Sequence, residues 1–135
     1  LYLGNLSAKR DWGSAEDYVK TMWLMMQKKK PSDYVISTGV SKSVKQFVEE
    51  AYGNIGIKII WKGKGLKEIG VDKKTSKTII KIDKYYFRPT EVHELRGDSS
   101  KARRELGWKP KVSFKQLVKS MVEKDIAKIK TFNQN

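Results

Sequence analysis

Apolar residues recur at helical spacing in three stretches of the chain, and each stretch begins near a serine. The first predicted helix covers residues 15–28, the second runs from Ser43 to about Asn54, and the third follows Ser113. Stripes of this kind usually pack into a core, so we expect them to be buried. The predicted buried faces comprise Tyr18, Val19, Met22, Trp23, Met25 and Met26; Phe47, Val48, Ala51 and Ile55; and Leu117, Val118, Met121, Val122, Ile126 and Ile129.

Side chains that can cap a helix stand at the start of each of these stretches. Ser14 precedes Asp17 by three positions, and Ser43 and Ser113 each precede a glutamine at the same spacing. In that arrangement both side chains accept hydrogen bonds from backbone N–H groups of the first turn. The spacing therefore predicts three capped helices.

A short helix is predicted closer to the C-terminus. It starts at Asp98 or Ser99, runs through Leu106 and ends at Gly107, which is expected to adopt a left-handed backbone conformation. Trp108 follows directly and is expected to be buried in the core.

β-rich segments alternate with the helices. Strands are predicted at residues 1–3, 33–38, 57–61 and 78–82. Strand, helix and strand in this order are typical of a parallel arrangement, so the predicted fold class is α/β. Residues 62–77 contain glycines among lysines but match neither G-x-G-x-x-G nor the P-loop pattern, so we predict a flexible loop there.

Length and charge limit the class of protein. The chain has 135 residues, enough for one domain, and 29 Lys and Arg against 15 Asp and Glu give a formal charge of +14. Such a surplus suggests a polyanion partner, and a nucleic-acid-binding module is one alternative. The cations are mostly scattered lysines and only five are arginines, which favours a solvated basic surface.

Other compositional features exclude several kinds of site. Cysteine is absent, which excludes disulfides and thiolate metal sites, and no apolar run is long enough to span a membrane. The chain begins with Leu1 rather than Met, so we expect an excerpt of a larger protein. Residues 131–135 are predicted to be a frayed tail.

The first candidate site lies in residues 3–13, between a strand end and a helix start. Lys9 and Arg10 are adjacent cations in a segment rich in Gly and Asn, just before the first helix. Fixed positive charge and free N–H groups would converge there, which favours anion binding. The alternative is that both cations are solvated loop residues and that Trp12 belongs to the core.

The second candidate site lies in residues 83–92, where three aromatic residues precede Arg88. Pro89 favours an extended conformation at Arg88, and Glu91 follows two positions after Pro89. An arginine held there can bind a phosphate while the carboxylate accepts hydrogen bonds from sugar hydroxyls. The alternative is an exposed Arg–Glu pair worth about 0–1 kcal/mol. His93 has no cysteine or second histidine for a metal site and is expected to be exposed.

Three motifs together resemble the GDP-mannose 4,6-dehydratase family. They are Ala-Lys-Arg-Asp-Trp-Gly at 8–13, Arg-Pro-Thr-Glu-Val at 88–92 and Leu-Gly-Trp-Lys-Pro at 106–110. The last is shared by many extended short-chain dehydrogenase/reductases, whereas the first two are specific to the GDP-mannose enzymes. The resemblance implies the C-terminal, substrate-binding portion of such a protein, with a helical cap and short strands. Its NAD(P)-binding Rossmann-like domain is then expected upstream of Leu1.

The resemblance also implies an activity. Members of the family convert GDP-mannose to GDP-4-keto-6-deoxymannose, on the route to GDP-fucose, by NADP-dependent internal hydride transfer and elimination of water. A cytoplasmic homo-oligomer that binds neither nucleic acid nor membrane is expected. A related nucleotide-sugar epimerase or dehydratase is the alternative within the same superfamily.

Six residues correspond to binding positions of the family. By this resemblance Arg10 and Arg88 contact the diphosphate and Glu91 contacts nucleotide hydroxyls. Gly4, Asn5 and Lys9 line the nucleotide side.

Parts of the family pattern are absent from the chain. No tyrosine is followed four residues later by lysine, and the glycine-spaced cofactor loop is missing. Catalytic and cofactor-binding residues are therefore expected upstream, and the 135 residues alone are expected to be inactive.

Overall fold

Residues 1–132, which a computed structural model describes, form four helices and seven strands. The helices are α1 (Ala15–Met26), α2 (Val44–Gly53), α3 (Ser100–Leu106) and α4 (Phe114–Phe132). The strands are β1 (Tyr2–Leu3), β2 (Lys9–Asp11), β3 (Ser41–Ser43), β4 (Ile59–Lys62), β5 (Ile69–Asp72), β6 (Thr78–Ile82) and β7 (Glu94–Leu95). All four helices were predicted. The predicted frayed tail is wrong for Thr131 and Phe132, which belong to α4, and the rest of that prediction, residues 133–135, lies outside the described part.

The strands form two small sheets. One has the order β1-β6-β5-β4, and the other has the order β3-β2-β7. The α/β class is confirmed, but the predicted parallel arrangement is wrong for most pairs, because β5 runs antiparallel to both β4 and β6, and β2 runs antiparallel to β3. Among the strand pairs of residues 1–132, only β1 with β6 and β2 with β7 are parallel. Short connections between β4, β5 and β6 make hairpins rather than crossovers.

The predicted loop at residues 62–77 is wrong, because it contains β5 and a 3-10 turn. Gly70 lies within β5, where it is required by close packing rather than by flexibility. A Cβ on Gly70 would lie 3.1 Å from the Ile80 Cβ and 3.1 Å from the Trp61 ring. The glycine therefore lets β5 pack closely between the side chains of its neighbouring strands.

The helix starts confirm two of the three predicted caps. Ser43 and Ser113 each accept from the backbone N–H of the glutamine three residues later, at 3.1 and 3.4 Å. The cap at α1 is wrong, because the Ser14 side chain forms no capping hydrogen bond. The Asp17 carboxylate instead accepts from both backbone N–H groups of residues 111–112, at 2.9 and 3.0 Å.

The first packed region of the core lies between α1, α3 and the turn after α3. Trp108 is buried, as predicted, and its indole N–H donates to the Asp17 carbonyl oxygen at 3.1 Å. Ala102 and Thr21 are also buried there. Gly107 adopts the predicted left-handed conformation with φ +63°, which turns the chain so that Trp108 points inward.

A second packed region joins α2, α4 and the segment after β2. The Trp12 ring lies 4.7 Å from Phe47, and Phe47 lies 5.9 Å from Phe114, measured between ring centroids. Val48 and Val118 are buried beside them. Trp12 packs against this aromatic cluster but is only half-buried, so it is not one of the fully buried core residues that the alternative for this stretch expected.

Several predicted core positions are exposed, and the largest group lies on α1. This helix buries Asp17 and Thr21, so its opposite, apolar face is turned to solvent. The positions that were wrongly predicted to be buried are Val19, Met22, Trp23, Met26, Ile55, Met121 and Ile129.

The strand predicted at residues 33–38 is also wrong. These residues form no strand within the described chain, and Gly39 follows with φ +79°. The β-rich composition is present, but no neighbouring strand pairs with this segment within residues 1–132.

Candidate functional site

The two candidate stretches lie side by side, and the hydrogen bonds that join them link residues 81 to 83 positions apart in sequence. The Asn5 side chain spans the gap: its Nδ2 donates to the Arg88 carbonyl at 2.9 Å, and its Oδ1 accepts from the Arg88 backbone N–H at 2.8 Å. A Cβ on Gly4 would lie only 2.3 Å from the Tyr86 carbonyl oxygen. Asn5 and Gly4 therefore hold the loop after β6 against the start of the chain.

Arg10 forms the second connection between the stretches. Its Nη1 donates to the carbonyl oxygens of Lys9 and Val92, at 2.7 and 2.9 Å, and its Nη2 lies 2.5 Å from Glu91 Oε1. The Arg10 and Glu91 side chains are only 28% and 18% exposed. Lys9 and Arg10 were predicted to lie in a loop, and this is wrong, because they belong to β2, which pairs with β3 and β7.

Asp11 fixes the turn that follows the extended segment 33–38. Its carboxylate accepts from the Thr38 backbone N–H at 2.8 Å, from the Thr38 hydroxyl at 2.5 Å and from the Gly39 N–H at 2.8 Å. Sequence reasoning gave Asp11 no role of its own, because its partners lie 27 and 28 residues away.

A cavity of about 350 Å³ lies between the two stretches. Gly4, Asn5 and Glu91, three of the six predicted residues, line it. Its apolar wall includes Leu6, Ile82, Phe87 and Pro89, and its polar rim includes His93, Lys64 and Glu68. Polar groups around an apolar floor are typical of a small-ligand site.

Lys64 and Glu68 come from the segment to which the sequence assigned no function. Glu68 Oε1 lies 2.6 Å from Lys45 Nζ, and that ammonium lies 4.6 Å from the centre of the Trp61 ring. These contacts hold the 3-10 turn over the cavity. No local motif could have revealed them, because the partners lie on α2 and β4.

The other predicted residues lie outside the cavity lining. The Arg88 and Lys9 side chains are exposed, and within residues 1–132 neither forms a hydrogen bond or ion pair. Arg10 does not line the cavity: it contacts Glu91, which does, and it lines a separate pocket together with residues of the segment 33–38. His93 is exposed, as predicted, and its carbonyl oxygen accepts from the Lys9 N–H at 2.8 Å.

Two titratable groups near β2 have shifted pKa values. The pKa of Glu94 is lowered, chiefly because the Ser41 hydroxyl donates to its carboxylate and also because Lys9 and Arg96 are close. The pKa of Tyr18 is raised by burial and by the nearby carboxylates of Asp11 and Asp17. Both shifts favour the protonation states that a glutamate and a tyrosine ordinarily have at neutral pH.

No cluster of His, Asp or Glu among the described residues could hold a metal ion. None of the described helices has the length and apolar character needed to cross a bilayer.

Solved structures share this fold at low sequence identity. RMD from Pseudomonas aeruginosa, complexed with NADPH, matches with a TM-score of 0.69 and 16% identity, over 91% of this chain and 34% of that one. UDP-glucose 4-epimerase from Thermotoga maritima, with UDP-glucose, matches with a TM-score of 0.70 and 23% identity, over 96% and 35%. The chain therefore belongs to the α/β fold class of these two proteins, and it matches about a third of each of them.

Sequence comparison identifies the family within that class. The family model described as GDP-mannose 4,6 dehydratase matches residues 1–121, so the chain belongs to the GDP-mannose 4,6-dehydratase family. The relative from Drosophila melanogaster is 56% identical over 124 residues, and the one from Dictyostelium discoideum is 55% identical over 130. The human relative is 50% identical over 129 residues. All three carry the name GDP-mannose 4,6 dehydratase.

The chain spans about a third of the length of these relatives. The match to the Drosophila protein covers 92% of this chain and 31% of that protein. The match to the Dictyostelium protein covers 96% of this chain and 36% of that protein.

Proposed function

We propose that this chain is the substrate-binding part of a GDP-mannose 4,6-dehydratase, which converts GDP-mannose to GDP-4-keto-6-deoxymannose. In this proposal the 350 Å³ cavity between the two candidate stretches binds the nucleotide of the substrate. The observation that carries it is the Arg10–Glu91 contact at 2.5 Å, which joins the two family motifs in one partly buried site. The alternative for Glu91 was an exposed pair with Arg88, but within residues 1–132 the Glu91 carboxylate pairs with Arg10 instead.

The hydrogen bonds of Arg10 leave it able to bind an anion. An arginine has five N–H donors, and three of them bind Lys9, Val92 and Glu91. The Nε–H and one Nη2–H are left for a phosphate oxygen. A guanidinium whose position is fixed by three protein contacts pays little conformational entropy on binding a ligand.

Arg88 is proposed to supply the second cation. Its backbone is held from both sides by Asn5, while its side chain is exposed. A fixed backbone with a free guanidinium suits a side chain that closes on a diphosphate after the nucleotide has entered. Glu91 would then accept from nucleotide hydroxyls, and Gly4, Asn5 and Lys9 would line the nucleotide side.

The cofactor is proposed to lie outside these residues. The described chain has no glycine-spaced loop, and its glycine-rich segment forms β5 and its flanking turns instead. We propose that NADP is bound by a Rossmann-like domain that precedes this part in the family and that also carries the catalytic residues. No catalytic step is assigned to the present residues, and a cytoplasmic, homo-oligomeric enzyme stays a prediction.

The family match favours a dehydratase over a related epimerase, although an epimerase is among the structural neighbours. The test is a chimera in which this chain replaces the matching third of the Drosophila relative. The chimera is expected to convert GDP-mannose to the 4-keto-6-deoxy product, and the 135-residue chain alone is expected not to. Turnover by the chain alone, or a folded chimera that binds NADP but not GDP-mannose, would contradict the proposal.

A further inference from the structure

The connection between β4 and β5 forms one wall of the 350 Å³ cavity. We refer to its residues 63–68 as the cavity turn, and three of them, Lys64, Gly65 and Glu68, line the cavity. None of the three is among the six positions to which the family resemblance assigned a binding role. A charged pair that faces a proposed nucleotide site without an assigned role is a candidate for ligand recognition.

The backbone of the cavity turn is fixed by its own hydrogen bonds. The N–H groups of Lys67 and Glu68 donate to the carbonyl oxygens of Lys64 and Gly65, at 3.2 and 3.0 Å. Gly63 has φ +77°, and a Cβ there would lie only 2.4 Å from the Lys67 carbonyl oxygen. Glu68 is followed directly by β5, which is paired on both sides. The turn can therefore hold its side chains at defined positions.

The Glu68 carboxylate is held by one of its two oxygens. Its Oε1 lies 2.6 Å from Lys45 Nζ, whereas Oε2 accepts no hydrogen bond from the described residues. The Glu68 side chain is only 19% exposed. Lys45 is itself fixed, because its backbone N–H donates to the Leu6 carbonyl at 2.9 Å and its ammonium lies over the Trp61 ring. A carboxylate held in this way loses little conformational freedom when it binds a ligand.

The two charged side chains that line the cavity from this turn have opposite hydrogen-bonding character. A carboxylate only accepts hydrogen bonds, and an ammonium only donates them. One edge of guanine matches this pair, because its N1–H and N2 amino group donate and its O6 accepts. In adenine that edge is reversed: N1 accepts and the N6 amino group donates, so a carboxylate would face a lone pair. A glutamate and a lysine at one edge therefore favour guanine over adenine.

The rest of the lining suits the faces of a purine. Leu6, Ile82, Phe87 and Pro89 form the apolar wall of the cavity. Aromatic and aliphatic side chains can pack on a planar ring while polar groups contact its edge. Glu91, which lines the same cavity, is already proposed to accept from nucleotide hydroxyls, so Glu68 is left for the base.

We propose that the cavity turn determines the base specificity of the site. The Glu68 carboxylate accepts hydrogen bonds from N1–H and from the N2 amino group of guanine, and the Lys64 ammonium donates to O6. This rests on the proposed function, in which the cavity binds the nucleotide of the substrate. If the Glu68–Lys45 pair only holds the turn in place, loss of the Glu68 charge changes the affinity for every nucleotide equally and leaves the base preference unchanged.

Inosine diphosphate separates these two roles of Glu68, because its base differs from guanine only in lacking the N2 amino group. Calorimetry gives the Kd values of the chimera for GDP and for inosine diphosphate. The chimera should bind GDP about tenfold more tightly, because one hydrogen bond to a charged group is absent with inosine diphosphate. Glu68→Gln should weaken GDP binding at least about tenfold and bring the two Kd values within about twofold of each other.

The same part of the chain offers matched controls. Glu49 accepts from the Trp61 indole N–H at 2.7 Å but does not line the cavity, so Glu49→Gln is the control for Glu68→Gln. Lys67 lies on the cavity turn outside the lining, so Lys67→Met is the control for Lys64→Met. Lys64→Met should weaken GDP and guanosine binding equally, by about three- to tenfold, without changing the ratio of the Kd values for GDP and inosine diphosphate. Both controls should leave all of these values within about twofold.

The ratio of the two Kd values decides the inference. Equal Kd values in the chimera, or a ratio that Glu68→Gln leaves unchanged, would overturn it. A folded chimera that binds no GDP would contradict the proposed function and the inference together. A base preference that depends on Glu68, without conversion of GDP-mannose, supports the inference and counts against the proposed dehydratase activity. A chimera that does not fold is replaced by this chain mixed with the remaining two-thirds of the Drosophila protein, and the same ratio is measured.

Discussion

The Arg10–Glu91 pair is expected to contribute more to the free energy of unfolding than an exposed ion pair does, because it joins the two candidate stretches. Replacing Glu91 by Gln keeps the shape of the side chain and removes its charge, while Arg10 keeps its bonds to two carbonyl oxygens. A hydrogen bond between charged groups contributes about 1.5–3 kcal/mol when it is protected from water. The side chains are 28% and 18% exposed, so solvent screening reduces the expected coupling to about 1–1.5 kcal/mol.

The coupling is measured by a double-mutant cycle of Arg10→Ala and Glu91→Gln. Urea unfolding of the 135-residue chain, followed by far-ultraviolet circular dichroism, gives the free energy of unfolding for each variant. The matched control is the Arg104–Glu105 pair, which is 3.7 Å apart and 71% and 35% exposed. Its coupling should be at most about 0.5 kcal/mol. Equal coupling in both cycles would refute the claim that the first pair joins the two stretches.

Three further predictions follow from the contacts of single residues. Asp17→Asn should lower the free energy of unfolding by about 2 kcal/mol in urea melts, because the buried carboxylate accepts from two N–H groups, whereas Ser14→Ala should change it by less than about 0.5 kcal/mol. Gly4→Ala should destabilise the chain by about 1–3 kcal/mol in the same melts, because its methyl group would meet a carbonyl oxygen, whereas Gly53→Ala, which meets nothing, should be neutral or stabilising. The pKa of Asp72 is lowered in the folded chain, mainly because the hydroxyl of the threonine three residues later donates to its carboxylate. The ionised carboxylate therefore stabilises the folded state fully at pH values above the usual aspartate pKa. That stabilisation is lost as the pH falls through the lower pKa of the folded state. Unfolding measured against pH should therefore show an acid limb that Asp72→Asn flattens, and an unchanged limb would contradict that reading.

Local patterns predicted the helices well and the sheets poorly. The caps at Ser43 and Ser113 and the turn at Gly107 depend on residues within a few positions, so the sequence reveals them. Strands β3 and β7 have three and two residues and exist only because β2 lies between them. No periodicity can develop over such short segments.

Long-range partners explain the remaining errors. The spacing of Ser14 and Asp17 is that of a cap, but the Asp17 carboxylate finds two N–H groups 94 and 95 residues away. The apolar face of α1 satisfies the helical pattern without being covered by any described residue. The same holds for the candidate site: the motifs indicated its residues, but the Asn5–Arg88 and Arg10–Glu91 contacts could be found only in the folded chain.

The central claim is that Arg10 and Arg88 bind the two phosphates of one nucleotide. It is tested most directly by the Kd values of the chimera for GDP and for guanosine, measured by calorimetry, with Arg88→Ala and with Lys84→Ala as the control. Loss of one charge-assisted phosphate contact is worth about 2–3 kcal/mol, which is about 30- to 150-fold in Kd. The account predicts that Arg88→Ala weakens GDP binding by that factor, leaves guanosine binding unchanged and differs from Lys84→Ala. An equal effect on GDP and guanosine, or no effect on either, would contradict it.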